Sequence, residues 1–352
     1  MRVVVVGAGL GGLCVANGLR KAGVDVEVLE AQDGIHDFGQ GYRINVNETG
    51  HDGLRACLSS ERFDAYEQSL HRQSDPAVYL YTPALDLLAR HDAPGAPGAI
   101  DRGTVRRVLA QGVADRIRFG RPVTSIADVG TADLIIAADG VSSAVRRELL
   151  PGRDPLPLGI SAIFGRAPLT AANRPWAAPA ILHGRFCGVV EGSTVLALCA
   201  YDPPTASQPY VMWVLMGRSD DFPPGGSSPA ELVRFAQEQT AGWDPRTTTV
   251  LPEAIVADTF LTPLRAMPEI PEIPAHAGVP VAFLGDAIHA MSPAHGEGAN
   301  TAFGDAALLV SHVLNDNTVT DAVAGYHADM RVTAGEAILR SASYGAPEAS
   351  NA

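Results

Sequence analysis

Near its N-terminus the chain reads "VVVVGAGLGG", in which Gly7, Gly9 and Gly12 follow a β-branched run at the spacing Gly-x-Gly-x-x-Gly. In such a loop the first glycine permits a tight turn, the second lets the backbone approach a diphosphate, and the third lets the next helix pack closely on the strand. That helix, opening at Leu10, turns free N–H groups and a positive end toward the phosphates. Glu30 stands eighteen residues beyond Gly12, at the end of "VDVEVLE", where a carboxylate accepts the hydroxyls of an adenosine ribose and repels a 2′-phosphate. A resident dinucleotide other than NADP is expected, and this fingerprint alone leaves NAD and FAD open. Two later segments hold further candidates. "ADGVSSAVR" sets Asp139 and Gly140 at a strand end; alone it reads as a capped turn with Arg146 on the outside. "GDAIHAMSPAHGEGAN" carries Asp286, Pro293 and His295 ahead of Gly296, Gly298, Ala299 and Asn300, and alone reads as a helix cap and a loop.

Taken in order, the three segments resemble the class A flavoprotein monooxygenases, the para-hydroxybenzoate hydroxylase-like family of FAD-dependent aromatic hydroxylases. The resemblance implies that FAD is the dinucleotide, with Gly7, Gly9, Leu10 and Gly12 at its diphosphate, Asp286 on the ribityl chain and Pro293 beside the isoalloxazine. Residues Gly296, Gly298, Ala299 and Asn300 would bring main-chain N–H groups to the flavin N1/C2=O edge, where reduced flavin is anionic and a helix N-terminus is favourable. Asp139 matches the turn acid near the pyrophosphate, and Arg102 in "DRGTVRRVL" matches an arginine that reaches the flavin from a helix start. Arg43 in "GYRINV" is expected near the flavin or the pocket mouth, and His295 near the active site. The implied reaction uses NADH or NADPH as a transient reductant and O₂, with a C4a-hydroperoxyflavin hydroxylating an aromatic or polyketide-like molecule. A flavoprotein acting as cyclase or dehydrogenase without inserting oxygen, or a degenerate flavin-binding partner protein, is the alternative. One departure from the family bears on cofactor binding: only "ADVGTA" stands where relatives carry a β-hairpin.

These residues need a scaffold, and the sequence supplies one. Arg2–Val6, "VDVEVLE", "ADLIIAADG" and "VAFLGD" read as buried parallel strands, with helices after Gly9, from Asp101 and from Ala299. "RIRFGRPVTSI" reads as a further strand. Between about residues 153 and 262, short runs such as "FCGVV", "TVLALCAY" and "YVMWVLM" alternate with Pro/Gly/Ser turns, predicting an antiparallel sheet. The expected fold is α/β, a Rossmann-like FAD-binding domain with a parallel sheet (1–152 and 263–330) carrying an inserted antiparallel-sheet substrate domain (153–262), then a C-terminal helix or tail (331–352). Phe164, Phe186, Tyr201, Tyr210, Trp213 and Met291 are the pocket candidates, although alternation turns about half of any strand's side chains elsewhere.

Composition narrows the partners. The net charge of −13 disfavours nucleic acid and anionic membrane surfaces. Four cysteines without metal-ligand spacing, and no apolar run of membrane-spanning length, point to a cytoplasmic protein without a metal site or a disulfide framework.

Overall fold

The computed structural model describes residues 1–35, 42–92, 97–206, 208–276, 278–293 and 296–342. The chain opens with β1 (Arg2–Val6), α1 (Leu10–Lys21), β2 (Asp25–Leu29), β3 (Arg43–Val46), α2 (Glu48–Cys57) and α3 (Ser60–Gln68). It continues through β4 (Ala77–Tyr81), β5 (Leu87–Asp92), β6 (Gly98–Asp101), α4 (Arg102–Gly112), β7 (Ile117–Arg118), β8 (Leu134–Ala137) and α5 (Ala144–Leu149). Then come β9 (Leu156–Pro168), α6 (Pro179–His183), β10 (Phe186–Glu191), β11 (Thr194–Tyr201), β12 (Tyr210–Arg218), α7 (Pro229–Gln239), α8 (Pro245–Thr248) and β13 (Phe260–Ala266). The last third holds β14 (Val281–Phe283), α9 (Asp286–His289), α10 (Glu297–Asn315) and α11 (Val319–Ala342).

The hydrophobic run at the N-terminus becomes the middle of a five-stranded parallel sheet of order β14-β8-β1-β2-β7. Val3 to Val6 are buried on both faces, as a central parallel strand requires. Helix α1 is buried from Leu10 to Leu19, and α10 packs against α1, α2 and α11. Chain order reverses about β1, so the crevice beyond the carboxyl ends of β1 and β8 is where such a sheet places a ligand. All three motifs lie there.

The second sheet, of order β13-β9-β12-β11-β10-β4-β5, is antiparallel except where β10 runs parallel to β4. One face closes a core with α6 and α7 through Ile181, Leu232, Val233 and Trp243; the other carries Phe164, Phe186, Met212 and Met216. A two-stranded ladder, β3 with β6, lies between the two sheets in the chain's path.

Three sequence boundaries move. Strands β4 and β5 lie within 1–152 yet pair with the larger sheet, because the Val78–Tyr81 backbone completes the free edge of β10. Strand β13 straddles 262/263 for the same reason, pairing with β9. Helix α11 runs unbroken through 330/331, and its residues up to Ile338 belong to the main core. The strand expected from "RIRFGRPVTSI" shrinks to Ile117–Arg118, ending in a turn at Gly120. The shortened "ADVGTA" region is a closed turn in which the Asp128 carboxylate accepts N–H groups of Thr124 and Ser125 and the Thr124 hydroxyl, at 2.9–3.0 Å.

Edge strand β14 is finished by side chains. The Phe283 N–H donates to His327 Nε2 at 3.1 Å, and the Tyr326 hydroxyl donates to the Phe283 carbonyl at 2.8 Å, so α11 satisfies an edge that a further strand would otherwise pair. Burial lowers the His327 pKa to about 4, consistent with a neutral ring that accepts. Tyr326→Phe is expected to lose about 1 kcal/mol or more in denaturant unfolding, since the buried Phe283 carbonyl is left unpaired.

No helix among the described residues is long and apolar enough to cross a membrane.

Candidate functional site

The glycine loop divides its labour as the spacing demands. Gly7 has φ +101°, and a Cβ there would stand 2.4 Å from the Ala138 carbonyl oxygen, so the ends of β1 and β8 touch. A Cβ at Gly12 would stand 2.1 Å from the Gly7 carbonyl oxygen, which fixes α1 on the loop. Gly9 differs: no atom lies within 4 Å of its would-be Cβ, and this is the side on which a diphosphate has room. Helix α1 starts without a side-chain cap, leaving first-turn N–H groups for an anion.

Glu30 is anchored before any ligand arrives. Its Oε2 accepts the Ala8 N–H at 2.7 Å and its Oε1 accepts the Gln32 N–H at 3.0 Å, leaving lone pairs on both oxygens. Sequence reading missed Arg106. Its Nε donates to the Ala8 carbonyl at 3.0 Å and its Nη2 to Gln32 Oε1 at 3.2 Å, 3.8 Å from Glu30. Arg106 follows Arg102 by four residues, one helical turn along the same face of α4, and that spacing was the available signal.

Arg102 begins α4, and its backbone N–H donates to the Tyr42 carbonyl at 2.6 Å. Burial pulls the Arg102 pKa down, while the charge of Asp286 opposes that fall and Arg106 adds to it. Residues from two separate stretches, α4 and the start of α9, therefore share one electrostatic neighbourhood. Asp286 is exposed at the start of α9, and a Cβ at Gly298 would lie 3.8 Å from its Oδ1. Gly296, at φ +67°, turns the chain into α10 without a side-chain cap, so the first-turn N–H groups of α10 are not taken by one.

The remaining motif residues hold this cradle together. Asn300, fully buried, donates from Nδ2 to the carbonyls of Asn45 (2.9 Å) and Gly296 (2.8 Å) and accepts the Asn47 N–H at Oδ1 (3.0 Å). Its side chain is thus committed to tying α10 to β3 and α2. Asn300→Ala is expected to lose about 1–3 kcal/mol of stability in urea unfolding, because the Asn47 N–H loses its buried partner. Asp139 caps α5, its Oδ2 accepting from Ala144 (2.8 Å) and Val145 (3.3 Å); its Oδ1 is buried with no partner among the described residues. Arg146 is not on the outside. It is 1% exposed and donates to the carbonyls of Ala287 and Val141 at 2.8 Å and to Asp154 at 3.2 Å, joining the Asp139 turn to the Asp286 helix. His289 closes the arrangement, its Nε2 2.5 Å from Asp305 Oδ2, with both side chains buried.

The pocket candidates separate by strand alternation. Met212, Val214 and Met216 of β12 face the same side as Phe164 and Phe186. Tyr201 and Tyr210 cluster with Tyr42, and the Tyr210 hydroxyl donates to Asp101 at 2.9 Å. The Tyr201 hydroxyl donates to the Ser69 carbonyl at 2.9 Å. Trp213 must be withdrawn: with Val211 and Leu215 it points to the opposite face, into the core with α7, and is fully buried. Arg43, 7% exposed, lies against this face, its N–H 3.4 Å from Met212 Sδ. Met291 is half-buried near Gly298, Pro293 is exposed, and His295 lies outside the described residues.

The open side of Gly9, the uncapped starts of α1 and α10, the anchored Glu30 and the electrostatic proximity of Asp286 to Arg102 fit the diphosphate, ribose, ribityl and ring-edge groups of FAD. Comparisons with known proteins support FAD as the cofactor. The profile of an NAD(P)-binding Rossmann-like domain matches residues 5–65, and that of an FAD binding domain matches residues 274–341. A dual O-methyltransferase/FAD-dependent monooxygenase of Phaeosphaeria nodorum is 30% identical over 87% of this chain, and the chain spans 39% of that relative's length. Salicylate hydroxylase of Pseudomonas putida is 27% identical, covering 94% of this chain and 80% of its own. Among solved structures, Klebsiella pneumoniae HpxO complexed with FAD and uric acid shares the fold, with a TM-score of 0.78 and 22% identity over 97% of this chain and 87% of that one.

Proposed function

Because this chain belongs to the FAD-dependent monooxygenase family, we propose that it hydroxylates an aromatic or polyketide-like small molecule with NADH or NADPH and O₂. The observation that carries this reading is the convergence of the open side of Gly9, the Asp286 carboxylate beside Gly298 and the uncapped start of α10 on one crevice. FAD supplies two-electron reduction by nicotinamide and the activation of O₂. The residues supply position and polarity. The first turn of α1 would hold the diphosphate, Glu30 the adenosine ribose and Asp286 the ribityl hydroxyls. The N–H groups from Gly298 to Asn300 would serve the flavin edge that becomes negative on reduction, where the positive end of the α10 dipole would favour that charge. Asp139 would lie near the pyrophosphate. The apolar wall of Phe164, Phe186 and Met212 would exclude water and seat the substrate ring.

The test is to record NADH and NADPH oxidation by the FAD-loaded protein against a panel of phenols and polyketide-like aromatics, with mass analysis of products. The reading expects at least one compound to accelerate oxidation and to gain one oxygen atom. Acceleration by none of them, or products of unchanged mass, would count against it.

A further inference from the structure

One buried charge on the substrate side has no acid within 4 Å among the described residues; the carboxylate of Asp101, opposite it on β6, is held by Thr104 and Tyr210. Arg43 is 7% exposed, and its guanidinium makes two hydrogen bonds, both from Nη1: to Asn45 Oδ1 at 3.0 Å and to the Arg185 carbonyl at 3.1 Å. Its Nε and Nη2 are buried and have no partner among the described residues. Arg185, half-buried in the same place, has no ion pair within 4 Å among them either, and its guanidinium makes no hydrogen bond to them. The acid nearest in effect to Arg185 is Glu297, already engaged by Arg340 at 3.7 Å and Asn47 at 3.4 Å. The other groups that sense Arg43, namely His71, Cys199 and Tyr210, carry no negative charge at neutral pH.

A buried guanidinium with unpaired donors and no acid within 4 Å is costly unless an anion joins it. The position narrows the anion. Asn45, which binds Arg43, also accepts from Asn300 at the start of α10, while Met212, beside the Arg43 N–H, belongs to the apolar wall with Phe164 and Phe186. Burial and the charge of Arg43 depress the Arg185 pKa, while Glu297 opposes the fall.

We infer that Arg43 and Arg185 form an oxyanion site for the substrate, selecting aromatic molecules that carry a carboxylate or an ionised phenol beside the ring to be oxidised. The free Nε and Nη2 of Arg43 supply the planar fork that recognises such a group. This rests on the monooxygenase reading for the location of the flavin, and the experiment separates the two.

The FAD-loaded protein is titrated with 1-naphthoate and 1-naphthamide, and with 4-nitrophenolate and 4-nitroanisole, followed by the flavin absorbance change. The anion of at least one pair is expected to bind roughly tenfold to a hundredfold tighter than its neutral counterpart. Arg43→Met and Arg185→Gln are each expected to erase that preference while the FAD dissociation constant stays within about threefold of wild type. Arg43→Met is further expected to unfold at no lower temperature than wild type without ligand, since it removes an uncompensated buried charge. Equal binding of anion and neutral analogue overturns the inference while leaving the flavin reading intact. Loss of FAD or a changed flavin midpoint potential in Arg43→Met, with anion preference kept, also overturns it by assigning the charge to the flavin. A chain that takes up no FAD removes the flavin reading instead.

Discussion

Asp305→Ala is expected to lose about 3–5 kcal/mol of unfolding free energy, the cost of leaving the other member of a buried ion pair alone. His289 and Asp305 are 0% and 2% exposed, and Asp305 also lies 3.4 Å from the Gly285 N–H that starts the Asp286 helix. Burial lowers the His289 pKa, but the charge and hydrogen bond of Asp305 outweigh it, so the folded value lies above 6.5. A group with a raised folded pKa gives stability that is complete below its unfolded pKa and disappears as pH rises through the folded one. The stability gap between wild type and Asp305→Asn should therefore be widest below about pH 6.5 and narrow above it. His312, raised by Asp316 and Asp329, titrates in the same direction but is unaltered in the variant and cancels from the difference. Urea titrations of both proteins from pH 5.5 upward test this; a gap independent of pH would contradict it.

The second large effect separates two glycines three residues apart in the same loop. Gly12→Ala forces a Cβ to 2.1 Å from a backbone oxygen, so both folding and FAD uptake should fail. Gly9→Val meets no protein atom within 4 Å of its Cβ. Its apo form should keep its stability to within about 0.5 kcal/mol, while FAD affinity falls by more than an order of magnitude because the branched side chain fills the diphosphate's space. Thermal unfolding without FAD, and flavin absorbance after loading, read the two effects apart. Equal FAD affinity in Gly9→Val and wild type would place the diphosphate elsewhere.

The local chemistry was legible in the sequence wherever geometry is set within a few residues. Gly7, Gly12 and Glu30 follow from a strand, a turn and a helix in succession. What depends on distant packing was not legible. Whether Arg146 turns inward is decided by the Ala287 carbonyl, 141 residues away. Which face Trp213 takes is set by the pairing of β12 with β9 and β11, since a one-residue shift exchanges every side chain across the sheet. The joining of β4 to β10 is a pairing over more than a hundred residues that no local periodicity announces. Arg106 was within reach, because its partner Arg102 had been singled out one turn earlier.

The central claim is that segments from both ends of the chain grip one flavin. A crystal structure of the protein with FAD measures it most directly. The account predicts the diphosphate against the N–H groups that begin α1, the ribityl chain on Asp286, and the pyrimidine edge within hydrogen-bond distance of the N–H groups of residues 298–300. An isoalloxazine seated away from α10, with Asp286 facing only solvent, would contradict it.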